Sequence, residues 1–483
     1  MNMLLLAKLR SVIVKKSERF IYVYFLLLPI IDLFTSLITR FTNISITPGI
    51  IFKGITLIGC IVYLFFFSKS KYKRKSIVYL FILLFFGIIY FFSKNYEYSL
   101  NIIFTELKYA FKYFYFPVVL CGMLNIFDDF EISKKLIVKI LVSNTIIYTV
   151  LMIVPYFTST GFNSYDMYWI YKGETGWFYS ANEIGAILTL LAISIYYILN
   201  YRNKKYLPII FLLMVSLAII GTKVSFIGLV IMTILCLVAT LLNQRKNVIK
   251  PCLLVIAFLV ISLFFSPTFD NFMSLKDNSN DNNQITDNKN NSKNDNKNNS
   301  DNYTNKDDLN NNKDSNSNIS DNIKEDTKKK LKELEDLIPI SFITDNLKFI
   351  LSNRDVFLLD NLNVYISSNM EDKIFGLGWE DRPDIDYTFS KKIVEIDVAD
   401  IFIHYGIVGF IIYFLPLLYC FILGIKNIIF FNNESWLALL TFMLQIGISL
   451  LAGHILSAPT VSIYLILMIG LTMVTVRDNK EST

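Results

Sequence analysis

The sequence predicts an all-α polytopic membrane protein with about 12 transmembrane helices and one large extracytoplasmic loop before helix 10. Hydrophobic residues make up 54% of the 483-residue chain, and the mean hydropathy is +0.47. Apolar runs of roughly 17–25 residues recur, each long enough to cross a hydrocarbon core of about 30 Å. Because this core offers the backbone no water, such runs form helices. Clusters of basic residues separate the runs in alternation, which is a topology signal.

Each apolar run defines one predicted span. In chain order the spans are 20–38, 49–67, 76–92, 109–126, 136–156, 183–199, 207–221, 224–242, 251–266, 398–424, 435–452 and 457–476.

Basic side chains precede the first span and fill alternate connections. They include Lys15, Lys16 and Arg19, then Lys71, Lys73 and Arg74, then Lys134 and Lys135, then Lys204 and Lys205, then Arg245 and Lys246, and finally Lys426 and Arg477. The positive-inside rule therefore predicts that both termini are cytoplasmic. The net charge of +6 reflects this topology and does not indicate nucleic-acid binding. Heavy use of Ile, Lys, Asn, Phe and Tyr is typical of an A+T-rich genome and indicates a bacterial cytoplasmic membrane.

Three segments organise the chain: a membrane domain at 1–266, an extracytoplasmic loop at 267–397, and a second membrane domain at 398–483. Within the loop, 271–329 is an Asn/Asp/Lys-rich tract with almost no apolar residue, which predicts disorder. Apolar residues return at helical spacing in 330–397, so this part is predicted to be partly helical. The five cysteines lack metal-type spacing, and no metal or cofactor is predicted.

Several ionisable residues lie in or beside predicted spans, where each needs a partner or a task. Asp32 and Lys53 lie at similar depth, which predicts an ion pair. Lys108 and Lys112 lie among aromatic residues at the start of helix four, where lysines either mark the interface or bind lipid phosphates.

Two short segments enter helices from the outer side. Asn182 and Glu183 begin helix six, where one of them is expected to cap the free amides and Glu183 is a possible functional carboxylate. Lys223 lies in the tight turn Gly221-Thr-Lys-Val-Ser225, where it either snorkels to the interface or meets an anionic ligand.

The densest polar constellation runs from Arg354 to His404. Asp397, Asp400 and His404 follow one another at helical spacing and share a face of helix ten. Two interpretations are open. Either they line an outward-facing cavity together with basic groups, or Asp397 is an N-cap and Asp400 and His404 form an internal pair.

Five motifs occur in an order that resembles the O-antigen ligase/polymerase superfamily, the Wzy- and WaaL-like membrane glycosyltransferases. They are Ser180-Ala-Asn-Glu-Ile-Gly185, Gly221-Thr-Lys-Val-Ser225, Ser352-Asn-Arg354, Phe375-Gly-Leu-Gly378, and Glu395-Ile-Asp397 with Tyr405-Gly-Ile-Val-Gly409. The resemblance extends from Pro29-Ile-Ile-Asp32 to Gly453-His-Ile-Leu-Ser-Ala-Pro459.

The resemblance implies a glycan donor on undecaprenyl pyrophosphate, held at the outer leaflet and attacked with inversion and without a metal. It implies Arg354 and Lys223 as pyrophosphate-binding residues, although relatives usually carry arginine at the position of Lys223. Lys112 is the third predicted pyrophosphate-binding residue, because of its place among the aromatic residues of helix four. Ligases commonly carry a histidine eleven residues before the first glycine of their G-x-x-G motif, and this chain has Glu395 there. That departure favours a polymerase and indicates Glu395 or Asp397 as the general base.

The expected function is therefore a polymerase that joins lipid-linked repeat units into a surface polysaccharide. A ligase that transfers the glycan to a lipid or wall acceptor is the alternative, and a flippase or exporter without chemistry is a third. Absence of acids in 39–48 argues against a polyprenyl-phosphate-sugar transferase. The expected partners are the lipid-linked oligosaccharide, membrane lipid and other polysaccharide-assembly membrane proteins, with no nucleic acid.

Overall fold

A computed structural model describes most of the chain outside the long polar loop. The described residues are 2–42, 44, 46–94, 99–165, 172–201, 204–243, 248–268, 270–271, 354–380, 393–428 and 433–480. Across these ranges the chain is helical and contains no β-strand, apart from an isolated bridge between Asn163 and Glu174. The predicted all-α fold class is confirmed. The predicted disordered tract 271–329 lies outside the described residues, apart from residue 271.

The helices are numbered in chain order. They are α1 (Asn2–Phe41), α2 (Pro48–Val62, extended by a π-helical turn Tyr63–Phe67), α3 (Lys73–Phe92), α4 (Leu100–Asp129), α5 (Lys134–Thr158), α6 (Ala181–Leu191), α7 (Ser194–Tyr201), α8 (Leu207–Ile219), α9 (Lys223–Leu242), α10 (Ile249–Phe264), α11 (Arg354–Ser367), α12 (Met370–Phe375), α13 (Asp397–Ile428), α14 (Asn433–Leu451) and α15 (Pro459–Lys480).

Nine helical stretches among the described residues are long and apolar enough to cross a membrane. Three predicted spans, 207–221, 251–266 and 457–476, correspond instead to shorter apolar helices, α8, α10 and the apolar part of α15. The polytopic membrane architecture follows from these helices, while the total of twelve spans stays a prediction.

The predicted span 183–199 is divided into α6 and α7. The carbonyls near this break receive donors from neighbouring helices: Thr145 Oγ1 lies 3.4 Å from Leu191 O, and Cys236 Sγ lies 3.5 Å from Ala192 O. Side chains of α5 and α9 thus supply hydrogen bonds to backbone carbonyls where the regular helical hydrogen bonds are interrupted. Such replacement is needed because an apolar environment offers these carbonyls no water.

The central helices are α4, α6 and α15, whereas α2 and α3 are mostly exposed and lie at the periphery. Helix α15 packs against α4, α5, α6, α13 and α14. At the end of the bundle where α4 finishes, the connection between α2 and α3 is held by two carboxylates. Asp129 accepts hydrogen bonds from Ser68 Oγ (2.8 Å) and Lys69 N (3.1 Å), and Asp128 accepts from Ser70 Oγ (2.8 Å).

The chain divides into two compact units. Met1–Phe272 and Phe357–Thr483 form the membrane unit, and Met273–Val356 forms the other. Of the second unit, only residues 354–356 are described. Residues 357–380, which the sequence assigns to the loop, therefore group with the membrane unit.

Candidate active site

A cavity of about 990 Å³ lies between the ends of several helices of the membrane unit, and we call it the main cavity. Its polar lining includes Asp32, Lys53, Lys108, Lys112, Tyr148, Glu183, His454 and Thr460. Its apolar walls include Ile44, Ile46, Ile50, Phe104, Leu107, Phe111, Phe178 and Ile184. These residues come from α1, α2, α4, α5, α6 and α15 and from the segments just before α2, α6 and α15, so parts far apart in the sequence converge there.

An ion pair and hydrogen bonds connect five helices, α1, α2, α5, α6 and α15, at this cavity. Lys53 Nζ lies 3.7 Å from Asp32 Oδ1, which confirms the predicted pair. Tyr148 OH donates to Asp32 Oδ2 at 2.9 Å, and Lys53 also donates to Thr460 Oγ1 at 2.8 Å. Thr460 in turn donates to Glu183 Oε2 at 3.1 Å. The carboxylates of Asp32 and Glu183 are therefore both linked to the ammonium group of Lys53.

Helix α6 presents Glu183 to the cavity from its first turn. The expectation that Asn182 or Glu183 caps this helix is wrong, because Ser180 is the N-cap and its Oγ accepts from Glu183 N at 3.5 Å. Ser180 lies just outside the helix, whereas the other two residues already have helical backbones and cannot fill that position. This arrangement leaves the Glu183 side chain available to the cavity. Asn182 is half-buried in the same turn and does not line the cavity.

Two lysines on α4 give the cavity a positive wall. Lys108 and Lys112 are one helical turn apart and both line the cavity, as their spacing requires. Lys108 Nζ lies 5.7 Å from the ring centroid of Tyr109, and Lys112 Nζ lies 5.4 Å from that of Tyr113. Lys108 is exposed and Lys112 is half-buried. Both ammonium groups can therefore meet an anionic ligand.

The other predicted anion-binding residues occupy different places. Lys223 is the first residue of α9, after the N-cap Thr222, and it is not among the cavity-lining residues. Its helix packs close to α6, since a Cβ at Gly185 would lie 3.4 Å from Ser225 Cβ. Arg354 is the first residue of α11 and belongs to the second unit. The pyrophosphate-binding role of both residues stays a prediction.

Asp397 begins α13, and its buried carboxylate is surrounded by donors from the last turn of α14 and from the connection between α14 and α15. It accepts hydrogen bonds from the amides of His454 (3.1 Å), Ile455 (2.8 Å) and Leu456 (2.8 Å), and from the hydroxyls of Ser449 (3.3 Å) and Ser457. Asp397 does not line the main cavity. These contacts indicate a structural task for the carboxylate, and its predicted role as a base is not tested by them.

Glu395 precedes this helix in a left-handed backbone conformation, with φ of 64°. Its carbonyl oxygen lies against the connection that follows α14, because a Cβ built on Gly453 would approach it to 2.2 Å. Only glycine fits at position 453 for this reason. Glu395 is half-buried and is not among the cavity-lining residues, so its predicted catalytic role also stays a prediction.

Asp400 and His404 are buried together and do not line the main cavity. His404 Nε2 lies 4.0 Å from Asp400 Oδ1, and His404 Nδ1 forms a hydrogen bond with Gly378 O at 2.7 Å. Tyr113 OH donates to Asp400 Oδ2 at 3.1 Å. The ring of Trp379 stacks on His404 with centroids 3.8 Å apart. These contacts match the internal-pair interpretation.

The Gly-Leu-Gly motif forms a joint with α13. Gly376 and Gly406 both have positive φ angles, 83° and 67°, and a Cβ on Gly406 would lie 2.4 Å from Gly376 N. Leu377 N donates to Ile403 O at 2.9 Å, and Gly378 N donates to His404 O at 3.2 Å. The backbones at Gly376 and Gly406, from two of the matched motifs, therefore approach each other so closely that neither position has room for a side chain.

Sequence reasoning did not identify Tyr148, His454 or Thr460 as site residues. The chain has only two histidines, and His454 lies in a segment already quoted for its resemblance. The small number of histidines is the one sequence feature that could have indicated His454. Nothing in the sequence indicates that Tyr148 and Thr460 approach Asp32 and Glu183, because these contacts cross 116 and 277 residues of the chain.

Comparison with protein families gives a match that extends over nearly the whole chain. No curated protein and no solved structure matches significantly. A family model described as O-antigen ligase like membrane protein matches residues 14–479. With its helical membrane unit and its polar cavity, the chain belongs to the family of O-antigen ligase-like membrane proteins.

Proposed function

We propose that this protein transfers a glycan from a polyprenyl pyrophosphate carrier to a hydroxyl acceptor, and that it acts as a polymerase of lipid-linked repeat units. Family membership supports membrane glycan transfer in general. The observation that carries the chemistry is the main cavity, which combines the lysine wall of α4 with the carboxylate of Glu183.

The reaction needs positive charge where negative charge develops. As the acceptor oxygen attacks the anomeric carbon, the bond from that carbon to the phosphate oxygen breaks, and the electron pair stays on the pyrophosphate. Cationic groups that are already in place stabilise this leaving group more than they stabilise the donor. Lys108 and Lys112 are suitable because they lie on one face of one helix. Arg354 and Lys223 do not line the main cavity and stay predicted pyrophosphate-binding residues, a role for which arginine offers a bidentate geometry.

The size and lining of the cavity fit a ligand that is part polar and part apolar. Small-molecule sites commonly occupy about 300–1,000 Å³, and the main cavity has about 990 Å³. Its apolar walls suit the first isoprene units of a carrier lipid, and its charged groups suit a pyrophosphate and sugar hydroxyls.

Within this class, Glu395 favours a polymerase, since ligase relatives commonly carry histidine at the matching position. A ligase remains the alternative because both use the same donor. A flippase, from a different functional class, generally needs no large extramembrane loop bearing arginine and carboxylates, and this chain has such a loop. In our proposal the protein is located in the bacterial cytoplasmic membrane with both termini cytoplasmic, and it works with other membrane proteins of polysaccharide assembly.

Gene deletion in the native bacterium separates these functions. For a polymerase we expect single repeat units to accumulate on the carrier lipid, as seen by mass spectrometry of extracted lipids. A ligase predicts full-length carrier-linked chains instead, and a flippase predicts accumulation of carrier-linked units on the cytoplasmic side. Unchanged carrier-linked glycans would refute the proposed function.

The deletion strain also tests the lysine wall. Lys112→Ala should lower transfer about 10–100-fold, because a hydrogen bond to a charged group contributes roughly 1.5–3 kcal/mol. Lys112→Arg should retain more activity than Lys112→Ala. The matched control is Lys135→Ala, since Lys135 is an exposed lysine on α5 that does not line the cavity. Equal activity of the Lys112→Ala and control variants would remove Lys112 from the mechanism.

A further inference from the structure

The connection between α14 and α15 holds a histidine in a strained backbone conformation. Gly453 and His454 have consecutive left-handed φ angles of 66° and 59°. Glycine adopts this conformation freely, but histidine adopts it at an energetic cost. Residues held in such conformations cluster at functional sites, so the observed angle is a reason to ask what His454 does.

The surrounding structure fixes this conformation from two sides. Three successive amides, those of His454, Ile455 and Leu456, converge on the carboxylate of Asp397. Successive backbone amides around an anion form a nest. On the other side, the carbonyl of Glu395 lies so close to Gly453 that any side chain there would collide with it. The connection therefore has little freedom to move.

This nest places the side chain of His454 on the main cavity. The imidazole is half-buried, and it shares the cavity with the titratable groups of Asp32, Lys53, Lys108, Lys112 and Glu183. The other histidine, His404, is fully buried beneath Trp379 and outside the cavity. Among the described residues, His454 is thus the one imidazole that a ligand in this cavity can reach.

We infer that His454 is the proton acceptor for the acceptor hydroxyl, and that Asp397 is the positioning residue that holds it. The inference rests on the proposed transfer function. The hydroxyl proton moves to the neutral imidazole, and the oxygen lone pair forms the new bond to the anomeric carbon. The bond from that carbon to the phosphate oxygen breaks, and the carrier pyrophosphate leaves. The imidazolium then releases its proton to water.

The two cavity carboxylates are less suited to this task. Asp32 is paired with Lys53 and accepts from Tyr148, and Glu183 accepts from the hydroxyl that Lys53 contacts. Both carboxylates are therefore already engaged by donors, and Asp32 also by the ammonium group of Lys53. The imidazole of His454 offers a ring nitrogen that can take up and release a proton, which is the usual role of histidine in general-base catalysis.

Chemical labelling tests the placement independently of activity. Diethyl pyrocarbonate, which reacts with neutral accessible imidazoles, is applied to the purified full chain in detergent, and the adducts are mapped by mass spectrometry. We expect His454 to be labelled and His404 to be protected. Asp397→Asn should release the connection and raise the labelling rate of His454 at least threefold. The matched control is Asp129→Asn, because Asp129 also binds a backbone amide but in the connection between α2 and α3.

Protection of His454, or equal labelling rates in the Asp397 and control variants, would overturn the placement. Each variant is first checked for cooperative thermal unfolding, so that misfolded protein is not scored. If Asp397→Asn does not fold, labelling of the wild-type chain still decides whether the imidazole is reachable.

Transfer activity in native membranes then tests the chemistry. His454→Gln should lower the transfer rate at least 100-fold, within the range of general-base catalysis. It should leave binding of farnesyl diphosphate, used as a soluble probe of the anion site, unchanged. His454→Glu should restore part of the rate with the acid limb of the pH profile moved to lower pH, because the ordinary pKa of glutamate is about 4.3.

The outcomes separate this inference from the proposed function. Full activity of His454→Gln together with loss in Lys112→Ala would refute the histidine as base while transfer stands. A wild-type chain that transfers no glycan would refute the proposed function, and the inference with it. If His454→Gln loses activity but the pH profile of His454→Glu is not shifted, His454 has a structural role and is not the proton acceptor.

Discussion

Glu106 on α4 is a buried carboxylate that fastens the chain after α12 to the bundle. Its Oε1 accepts from the amides of Trp379 at 2.7 Å and Glu380 at 3.3 Å, and its Oε2 accepts from Tyr90 OH at 2.7 Å. Both Glu106 and Trp379 are almost fully buried. We predict that Glu106→Ala strongly destabilises the membrane unit.

The magnitude follows from the donors that lose this acceptor. A buried donor left without its acceptor costs about 1–3 kcal/mol. Two donors at 2.7 Å therefore give a loss of roughly 2–6 kcal/mol for Glu106→Ala. Glu106→Gln keeps one carbonyl oxygen for the two amides, and its NH₂ group can donate to Tyr90. The expected loss for that variant is only about 1 kcal/mol.

The cysteines supply the assay, since Cys60, Cys121, Cys236, Cys252 and Cys420 are all buried. A thiol-reactive fluorescent dye therefore reports thermal unfolding in detergent as these thiols become accessible. We expect the midpoint to fall by several degrees for Glu106→Ala and by much less for Glu106→Gln.

Glu371→Ala is the matched control, because Glu371 is an exposed carboxylate in the neighbouring helix α12. Its midpoint should stay within about one degree of wild type, since exposed substitutions usually cost less than about 0.5 kcal/mol. Equal midpoints for Glu106→Ala and Glu106→Gln would refute the argument from lost acceptors.

One further prediction uses the same thermal assay, and another uses the yield of folded protein. Asp32→Asn and Lys53→Met should each destabilise by about 3–5 kcal/mol, because one charge of a buried pair is left uncompensated, and the double variant should lose less than the sum of the two. Additive losses would contradict this coupling. Gly406→Ala should prevent recovery of folded protein, since its φ is 67° and a Cβ would lie 2.4 Å from Gly376 N. Gly447→Ala, where a Cβ meets nothing within 4 Å, should fold normally, and equal yields of the two alanine variants would contradict the steric argument.

Hydropathy predicts the helices of this chain well because membrane insertion depends on the same quantity. Predicted span 224–242 corresponds to α9 (Lys223–Leu242), and 136–156 falls inside α5 (Lys134–Thr158). Span 109–126 is too short, because α4 begins at Leu100. Its first turns carry Glu106 and two lysines, which lower the hydropathy although Glu106 is buried within the fold.

The site is less predictable, because contacts between distant segments decide it. Asp397 looks like a helix cap or a base in the sequence, whereas its partners lie 52 to 60 residues away. Asp400 and His404 do share a helix face, but spacing alone does not reveal that Trp379 covers His404. A pattern along one helix predicts which side chains are neighbours on that helix. It does not predict which residues of other segments pack against them.

The kink at Gly406 has a consequence for the order in which the protein is assembled. The carbonyls of Ile403 and His404, just before the kink, accept from the amides of Leu377 and Gly378. These donors precede α13 in the chain and therefore leave the ribosome first. When α13 enters the membrane, the partners for its interrupted backbone have already been synthesised on its N-terminal side. Circular permutation that moves 376–378 behind α13 should therefore impair insertion, even though every residue is retained.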